Sequence, residues 1–276
     1  MTETIRLIQH KELGILKEFI RVCQKFNLHY YILGGTLLGA VRHGGFIPWD
    51  DDIDIGMPRK DFEFLMNRGS KEFHKPYQLV SEKTNPHFTK AFMNVQDSST
   101  KIIMNYSNIS HEESLWIDIF PIDGMPGGKF KRSIHEKRYL YARMMVQLSQ
   151  FNRIVNQNKK NRPLVEKVII NLARVINFEK ILSYEKRQQR YIKTISKYDM
   201  TETYSGNYTG AYKLREIVPS DYFDEGVELN FENIKVRAPK KYKDYLVAIY
   251  GENYMELPPE EDRIPHQYEI ISLNHN

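Results

Sequence analysis

Four of the five residues at 50–54 are aspartates: Asp50, Asp51, Asp52 and Asp54. Carboxylates at that density repel one another unless solvent or a cation offsets the repulsion. A purely structural strand would rarely carry them. Just ahead stand Gly34, Gly35 and Thr36, a small-residue turn able to admit a phosphate, followed by Arg42 and His43. A hard cation such as Mg²⁺ prefers oxygen ligands. It takes few carboxylates and fills its remaining positions with water and phosphate oxygens. The chemistry these residue types suggest is therefore an in-line displacement at phosphorus, with a metal neutralising the phosphate charge.

Those residues need strands and a turn to hold them. Residues 28–33, with Tyr30, Tyr31 and Ile32, read as a buried strand that Gly34-Gly35 ends. Thr36 then caps a helix whose free backbone N–H groups favour phosphate. Residues 48–56 read as a second strand. Ile53 and Ile55 alternate with Asp52 and Asp54, so the two aspartates share one face. Asp50 falls in their register as a supporting partner, and Asp51 turns away. A later strand at 115–120 repeats the alternation: Ile117 and Ile119 face one way, Asp118 and Phe120 the other. Asp118 can thus supply a third carboxylate. Taken singly, each piece has a plainer reading. Asp-x-Asp is mostly structural or solvated, Gly-Gly is a turn, and Asp118 can cap a turn near Pro121. The order strand, Gly-Gly-Thr, helix, Asp-x-Asp strand, Asp strand is the layout of a nucleotidyltransferase-type palm.

Around this centre the chain divides. An amphipathic helix at 5–26 places Leu16, Phe19, Ile20, Cys23 and Phe26 on one face. Pro58 starts a helix through Phe62 and Leu65. Strands follow at 77–81, 89–95 and 101–104, with Asp97-Ser98-Ser99 as a turn. Residues 129–197 are rich in Lys and Arg and helical in period, with Leu164, Val168, Leu172, Val175 and Ile176 on one apolar face. Residues 231–236 read as a strand, 240–250 as a helix closed by Gly251, and Leu257-Pro258-Pro259 ends regular structure. The expected fold is α/β (α+β): a nucleotidyltransferase-like mixed sheet at 1–128, a basic helical segment at 129–200, and a part at 201–276 that packs back on the first.

The 276 residues are 41% hydrophobic and 27% charged, an ordinary globular composition. No apolar run is long enough to span a bilayer, and the first residues lack the apolar core of a signal peptide. One cysteine, Cys23, cannot form an internal disulfide, so a cytoplasmic protein is the simplest expectation. The formal charge of +5 suits anionic partners.

Residues 33–55 closely resemble the signature of the LicD family, bacterial phosphorylcholine transferases with the nucleotidyltransferase fold. The resemblance continues in Lys90-Ala91-Phe92 with Asp97 and Thr100, and at residues 116–124, Trp-Ile-Asp-Ile-Phe-Pro-Ile-Asp-Gly. It returns in the tail at Pro239, Tyr242, Tyr245-Leu246, Tyr250-Gly251, Tyr254-Met255, Leu257-Pro258-Pro259 and His266. Nothing in 129–200 matches. The resemblance implies transfer of phosphorylcholine from CDP-choline to a sugar hydroxyl of a teichoic acid or another cell-surface glycan precursor, lipid-linked, with release of CMP. It also implies that Asp52, Asp54 and Asp118 hold the metal, Mg²⁺ or alternatively Mn²⁺, with Asp118 available as base. The number of ions stays open.

Other residues carry two readings each. Arg42 suits a diphosphate or an ion pair with the acidic strand, His43 a phosphate or a plain surface role, and Lys90 a phosphate or solvent. Choline's quaternary ammonium needs aromatic faces. Trp49, Trp116, Tyr30, Tyr31 and Phe120 flank the centre in sequence, although each is also a natural packing residue. Arg263 and His266 either return to the site or pin the tail. Residues 164–182 suit either the anionic inner face of a membrane or a core helix, and Arg132, Lys137 and Arg138 could guide an anionic glycan. Two rival functions remain: an NTP-using nucleotidyltransferase that releases pyrophosphate, and a non-catalytic basic module binding anionic lipid or nucleic acid. No nucleic-acid motif supports the last.

Overall fold

The computed structural model describes residues 3–85, 88–104, 111–151, 178–263 and 268–273. The predicted apolar face from Leu164 to Ile176, and His266, lie outside the described residues.

The long strand β5 (His111–Met125) is the spine of a mixed sheet. On one side it pairs in parallel with β2 (Asp54–Pro58), which pairs antiparallel with β1 (Tyr31–Ile32). On the other it pairs antiparallel with β4 (Met93–Met104), which carries β3 (Tyr77–Val80) and, further along, β10 (Tyr268–Ser272). The far end of β5 pairs with β6 (Tyr204–Asn207), and β6 with β7 (Val218–Pro219). Leu115, Ile117 and Ile119 of β5 are buried, as the alternation requires, and from Ile119 to Met125 both faces of the strand are covered.

Helix α1 (Glu3–Phe26) packs against β4 and β5, burying Leu16, Phe19 and Cys23. α2 (Gly34–His43) ends at Gly44, whose φ of 71° lets its N–H reach the Gly39 carbonyl. α3 (Arg59–Asn67) starts after Pro58 as expected. The basic region forms α4 (Lys129–Ser149), a short α5 (Phe178–Ile181) and α6 (Tyr184–Ile195). α4 and α6 share a separate core of Tyr139, Ala142, Val146, Tyr191 and Ile195 with Met125 and Tyr208. A hairpin, β8 (Val227–Phe231) and β9 (Ile234–Ala238), precedes α7 (Tyr242–Tyr250), which packs on α2 and closes at Gly251. Tyr245, Leu246 and Ile249 of α7 join the same core as α1 and the sheet.

Several sequence expectations change. The strand read at 48–56 begins only at Asp54, and residues 50–53 are loop. The strand read at 28–33 shrinks to Tyr31–Ile32. Asp97-Ser98-Ser99 does not break the chain into two strands. The Asp97 carboxylate accepts from the Ser99 N–H and hydroxyl, and β4 runs on through a register shift. Residues 231–236 are not one strand but a hairpin turn at Glu232, whose φ is 51°. Pro258-Pro259 does not end regular structure, because β10 follows and pairs with β4.

Candidate active site

The register of β2 on β5 sets Asp54 directly beside Asp118. In parallel strands such partners point to the same face, about 4.8 Å apart at the backbone. Three hydrogen bonds from backbone N–H groups hold Asp54 and Asp118 in place. Asp118 N–H donates to the Ile53 carbonyl at 2.9 Å, Leu33 N–H to the Asp54 carbonyl at 2.9 Å, and Asp54 N–H to Thr36 Oγ1 at 2.8 Å. Thr36 is therefore not the helix cap. Helix α2 already begins at Gly34 with Leu33 before it, and Thr36 spends its oxygen on holding β2.

The glycines matter by what stands against them. A Cβ on Gly34 would lie 3.0 Å from Asp54 Oδ2, and one on Gly35 would lie 2.7 Å from Asp50 Oδ2. The turn is thus lined by carboxylate oxygens as well as by the start of a helix. Burial drives the Asp54 carboxyl well above the ordinary carboxylate range, and the charges of Asp52, Asp118, Glu216 and Asp50 push it further. Asp52 is half-buried and Asp51 fully buried.

On the other flank of β5, Asn94 of β4 faces Asp118 across the ladder and its amide donates to Asp118 Oδ1. Lys90 Nζ stands 4.0 Å from the same oxygen. Three rings surround that ammonium: Trp116 at 4.8 Å, Phe92 at 5.1 Å and Phe88 at 5.8 Å. Phe120 packs on Phe92 at 4.7 Å. Aromatic faces beside Asp118 thus already hold a cation.

Other sequence candidates lie elsewhere. Arg42 and His43 end α2, about 14 Å along the helix from Gly34. Among the described residues Arg42 forms no ion pair with the acidic strand. Its guanidinium donates to the carbonyls of Tyr254 at 3.2 Å and Glu256 at 3.0 Å. It also lies 6.0 Å from the Trp49 ring, whose other cation is Arg263 at 5.1 Å. Trp49 and Arg263 therefore serve to pin the tail. His43 is exposed and lies edge-on to Trp49 at 6.2 Å, and burial together with the Arg42 charge pushes its pKa down. Tyr30 and Tyr31 are buried packing residues, Tyr30 edge-on to Phe19 at 5.4 Å and Tyr31 against Phe223 at 5.4 Å.

Sequence reading missed five contributors. Glu12 of α1 is 2% exposed and its Oε2 has no hydrogen-bond partner. Burial, then Asp52, Asp51, Asp50 and Asp118, raise its pKa strongly. Glu216 is 5% exposed, and burial lifts its pKa to about 7 against the pull of the Tyr212 N–H, Asn207 and Arg143. Tyr245 is hydrogen-bonded to the Gly34 backbone, and Tyr250, edge-on to Tyr212 at 5.6 Å, approaches Gly34 from the same side. Asn94 orients Asp118. Only Tyr245 and Tyr250 had a sequence signal, through the tail motifs. Glu12 reads as an ordinary acid on a helix until its burial is seen.

The carboxylates gathered at Asp54 and Asp118 offer oxygen donors, the kind a hard divalent cation takes. No three His, Cys, Asp or Glu side chains among the described residues form a ready-made metal site. The arrangement fits a cation held by two carboxylates and completed by phosphate oxygens and water, the usual habit of Mg²⁺. Repulsion gathered on Asp54 gives such a cation something to relieve.

A family model described as "LicD/FKTN/FKRP, nucleotidyltransferase domain" matches residues 27–139, the stretch holding the glycine turn, β2 and β5. Among relatives, the lipopolysaccharide cholinephosphotransferase LicD of Haemophilus influenzae is 30% identical over 265 residues, covering 95% of this chain and 96% of its own. The human ribitol 5-phosphate transferase FKRP is 45% identical over 42 residues, 15% of this chain and 8% of its own. Mannosyltransferase regulator 4 of Saccharomyces cerevisiae is 26% identical over 181 residues, 61% of this chain and 15% of its own. With one relative matched along nearly the full length of both chains, and the family model seated on the strands that pair Asp54 with Asp118, this chain belongs to the LicD family and is an enzyme of the LicD type.

Proposed function

We propose that this enzyme transfers phosphorylcholine from CDP-choline to a hydroxyl of a cell-surface glycan, releasing CMP. The observation that carries the reading is the register that sets Asp54 beside Asp118 at the Gly34 turn. Asp54 and Asp118, with Asp52 nearby, would hold Mg²⁺. When bound, the cation supplies charge neutralisation at the diphosphate. The acceptor oxygen attacks the phosphorus that bears choline, and the bond from that phosphorus to the bridging oxygen breaks. CMP leaves with the bridging oxygen, and Asp118, aligned by Asn94, takes the hydroxyl proton.

The choline assignment is supported by the rings of Phe88, Phe92 and Trp116 beside Asp118. They suit an ammonium that donates no hydrogen bonds, and Lys90 would turn from them toward phosphate. They suit a neutral alditol less well. The Haemophilus relative supports a lipopolysaccharide-type acceptor, and a teichoic acid precursor offers the same hydroxyl chemistry. Contact with the inner membrane face would follow from a lipid-linked acceptor. Among the described residues no helix is long and apolar enough to cross a membrane.

The test is CMP release from CDP-choline with Mg²⁺ and an isolated glycan acceptor, run beside CDP-ribitol and NTPs. Choline-dependent release is expected, falling at least about 100-fold in Asp54→Asn and Asp118→Asn without loss of the folded state. Pyrophosphate from an NTP, with no CMP from CDP-choline, would make the enzyme a nucleotidyltransferase instead.

A further inference from the structure

The basic middle region, which the aspartate site leaves unused, gathers into a cleft. On α6 and just beyond it, Lys186, Arg190, Lys193 and Lys197 are spaced four, three and four apart, one face of a helix. With Arg138 of α4 they line a cleft of about 580 Å³ that also includes His135. All five cations are exposed, and no Asp or Glu is among the described residues of the lining. Five like charges around one concavity repel one another, and an anion relieves them.

His135 forms part of the cleft wall. It is 3% exposed, its ring is fixed edge-on to Tyr198 at 5.0 Å and Tyr208 at 5.7 Å, and its buried Nε2 has no hydrogen-bond partner. Burial, then Lys197 and Arg138, hold its pKa down at about 4, so the ring is neutral near pH 7 and keeps one N–H to donate. The guanidinium and ammonium groups above it are the charge-assisted donors that a phosphate takes.

The cleft is rigidly placed. The Tyr208 carbonyl accepts from Tyr139 at 2.9 Å, Arg143 at 2.9 Å and Tyr191 at 3.0 Å, and the Tyr208 hydroxyl donates to the Gly124 carbonyl at 2.8 Å. Gly124 lies six residues along β5 from Asp118, about 20 Å at strand rise. The tyrosine cluster beneath the cleft is thus anchored on a part of β5 well removed from Asp118.

We infer that the cleft between α4 and α6 binds a phosphate group and, resting on the transferase reading above, that this phosphate belongs to the acceptor glycan, held one long strand away from the hydroxyl that reacts. The acceptor is then a phosphate-bearing polymer of several sugars rather than a single monosaccharide.

Titration calorimetry with pyrophosphate, without divalent metal, tests the cleft alone, because the bare aspartate cluster repels anions. Saturable binding is expected for the wild type and for Asp118→Asn. It should weaken about tenfold or more in the triple variant K186E/R190E/K193E and less in K186Q/R190Q/K193Q. These positions are exposed, so an unchanged melting temperature is expected for both triple variants. Equal binding by wild type and both variants would overturn the proposal. So would binding to phosphatidylglycerol-containing vesicles, lost in the variants, by a protein that ignores pyrophosphate; that pattern assigns the cleft to a membrane surface. In turnover, the glutamate variant should raise KM for a phosphate-bearing acceptor about tenfold with kcat unchanged. Cleft binding in a wild type that releases no CMP would leave the cleft standing and remove the transferase reading.

Discussion

At Gly34 one backbone angle and one carboxylate meet. Its φ is 49°, and a Cβ there would lie 3.0 Å from Asp54 Oδ2. Any L side chain therefore costs about 1 kcal/mol in backbone strain and displaces the carboxylate that the site depends on. We expect Gly34→Ala to lower the melting temperature by a few degrees, roughly what 1 kcal/mol implies for a chain of this size. CMP release should fall far more than the loss of folded protein explains. Thermal denaturation and turnover on the same sample separate the two; a proportional loss of both would show that the glycine serves only the turn. Gly-Gly was legible in the sequence as a turn. That it makes room for Asp50 and Asp54 was not, because the close approach comes from residues at least fifteen positions later.

Among the elements, α1 holds the aspartate loop in place. Gln9, 1% exposed, donates its amide to the carbonyls of Ile47 at 3.2 Å and Asp50 at 2.7 Å. Residues 50–53 are loop rather than strand, with Ile53 tied to β5 through the Asp118 N–H at 2.9 Å, and the Gln9 side chain adds an anchor from α1. Gln9→Ala should cost about 1–3 kcal/mol by removing the side-chain donor to the Asp50 carbonyl, while the Ile47 carbonyl keeps the Asp50 N–H at 3.0 Å. It should also lower kcat, since Asp52 and Asp54 lose their fixed approach. Chemical denaturation gives the first and initial rates the second; an unaltered denaturation midpoint would refute the anchoring role. The helical period of α1 was legible because it spans many turns. Gln9 and Glu12 were not, because a polar residue beside an apolar stripe reads as solvated until a sheet and a loop cover it.

Across the whole molecule, the site joins the first part of the chain to the last. Glu216, in a short turn after β6, acts on Asp54 through its charge while its own pKa is raised to about 7 by burial. A folded value above the unfolded one gives stability that is complete below the unfolded pKa, near 4.5, and lost as pH rises through about 7. The wild type should therefore lose stability over that window, by roughly 3 kcal/mol at most. Glu216→Gln keeps an acceptor for the Tyr212 N–H at 3.2 Å and should flatten the loss. Denaturation midpoints measured across the window decide it; identical slopes for the two proteins would mean that Glu216 is not the titrating group.

The sequence alone determined the residue types on offer and the elements that bear them: aspartates alternating with isoleucines, a glycine turn before a helix, and a later strand repeating the alternation at Asp118. Those signals are local, and periodicity and turn chemistry are local physics. Tertiary structure decided which aspartates meet. Register, not sequence spacing, pairs Asp54 with Asp118, and the pairing comes from backbone hydrogen bonds between segments some sixty residues apart. It also decided that Arg42 serves the tail, that Lys90 sits among aromatic rings at Asp118, and that the scattered cations of α4 and α6 form one cleft. In each case the deciding quantity is burial or charge proximity, and both exist only once distant segments have packed.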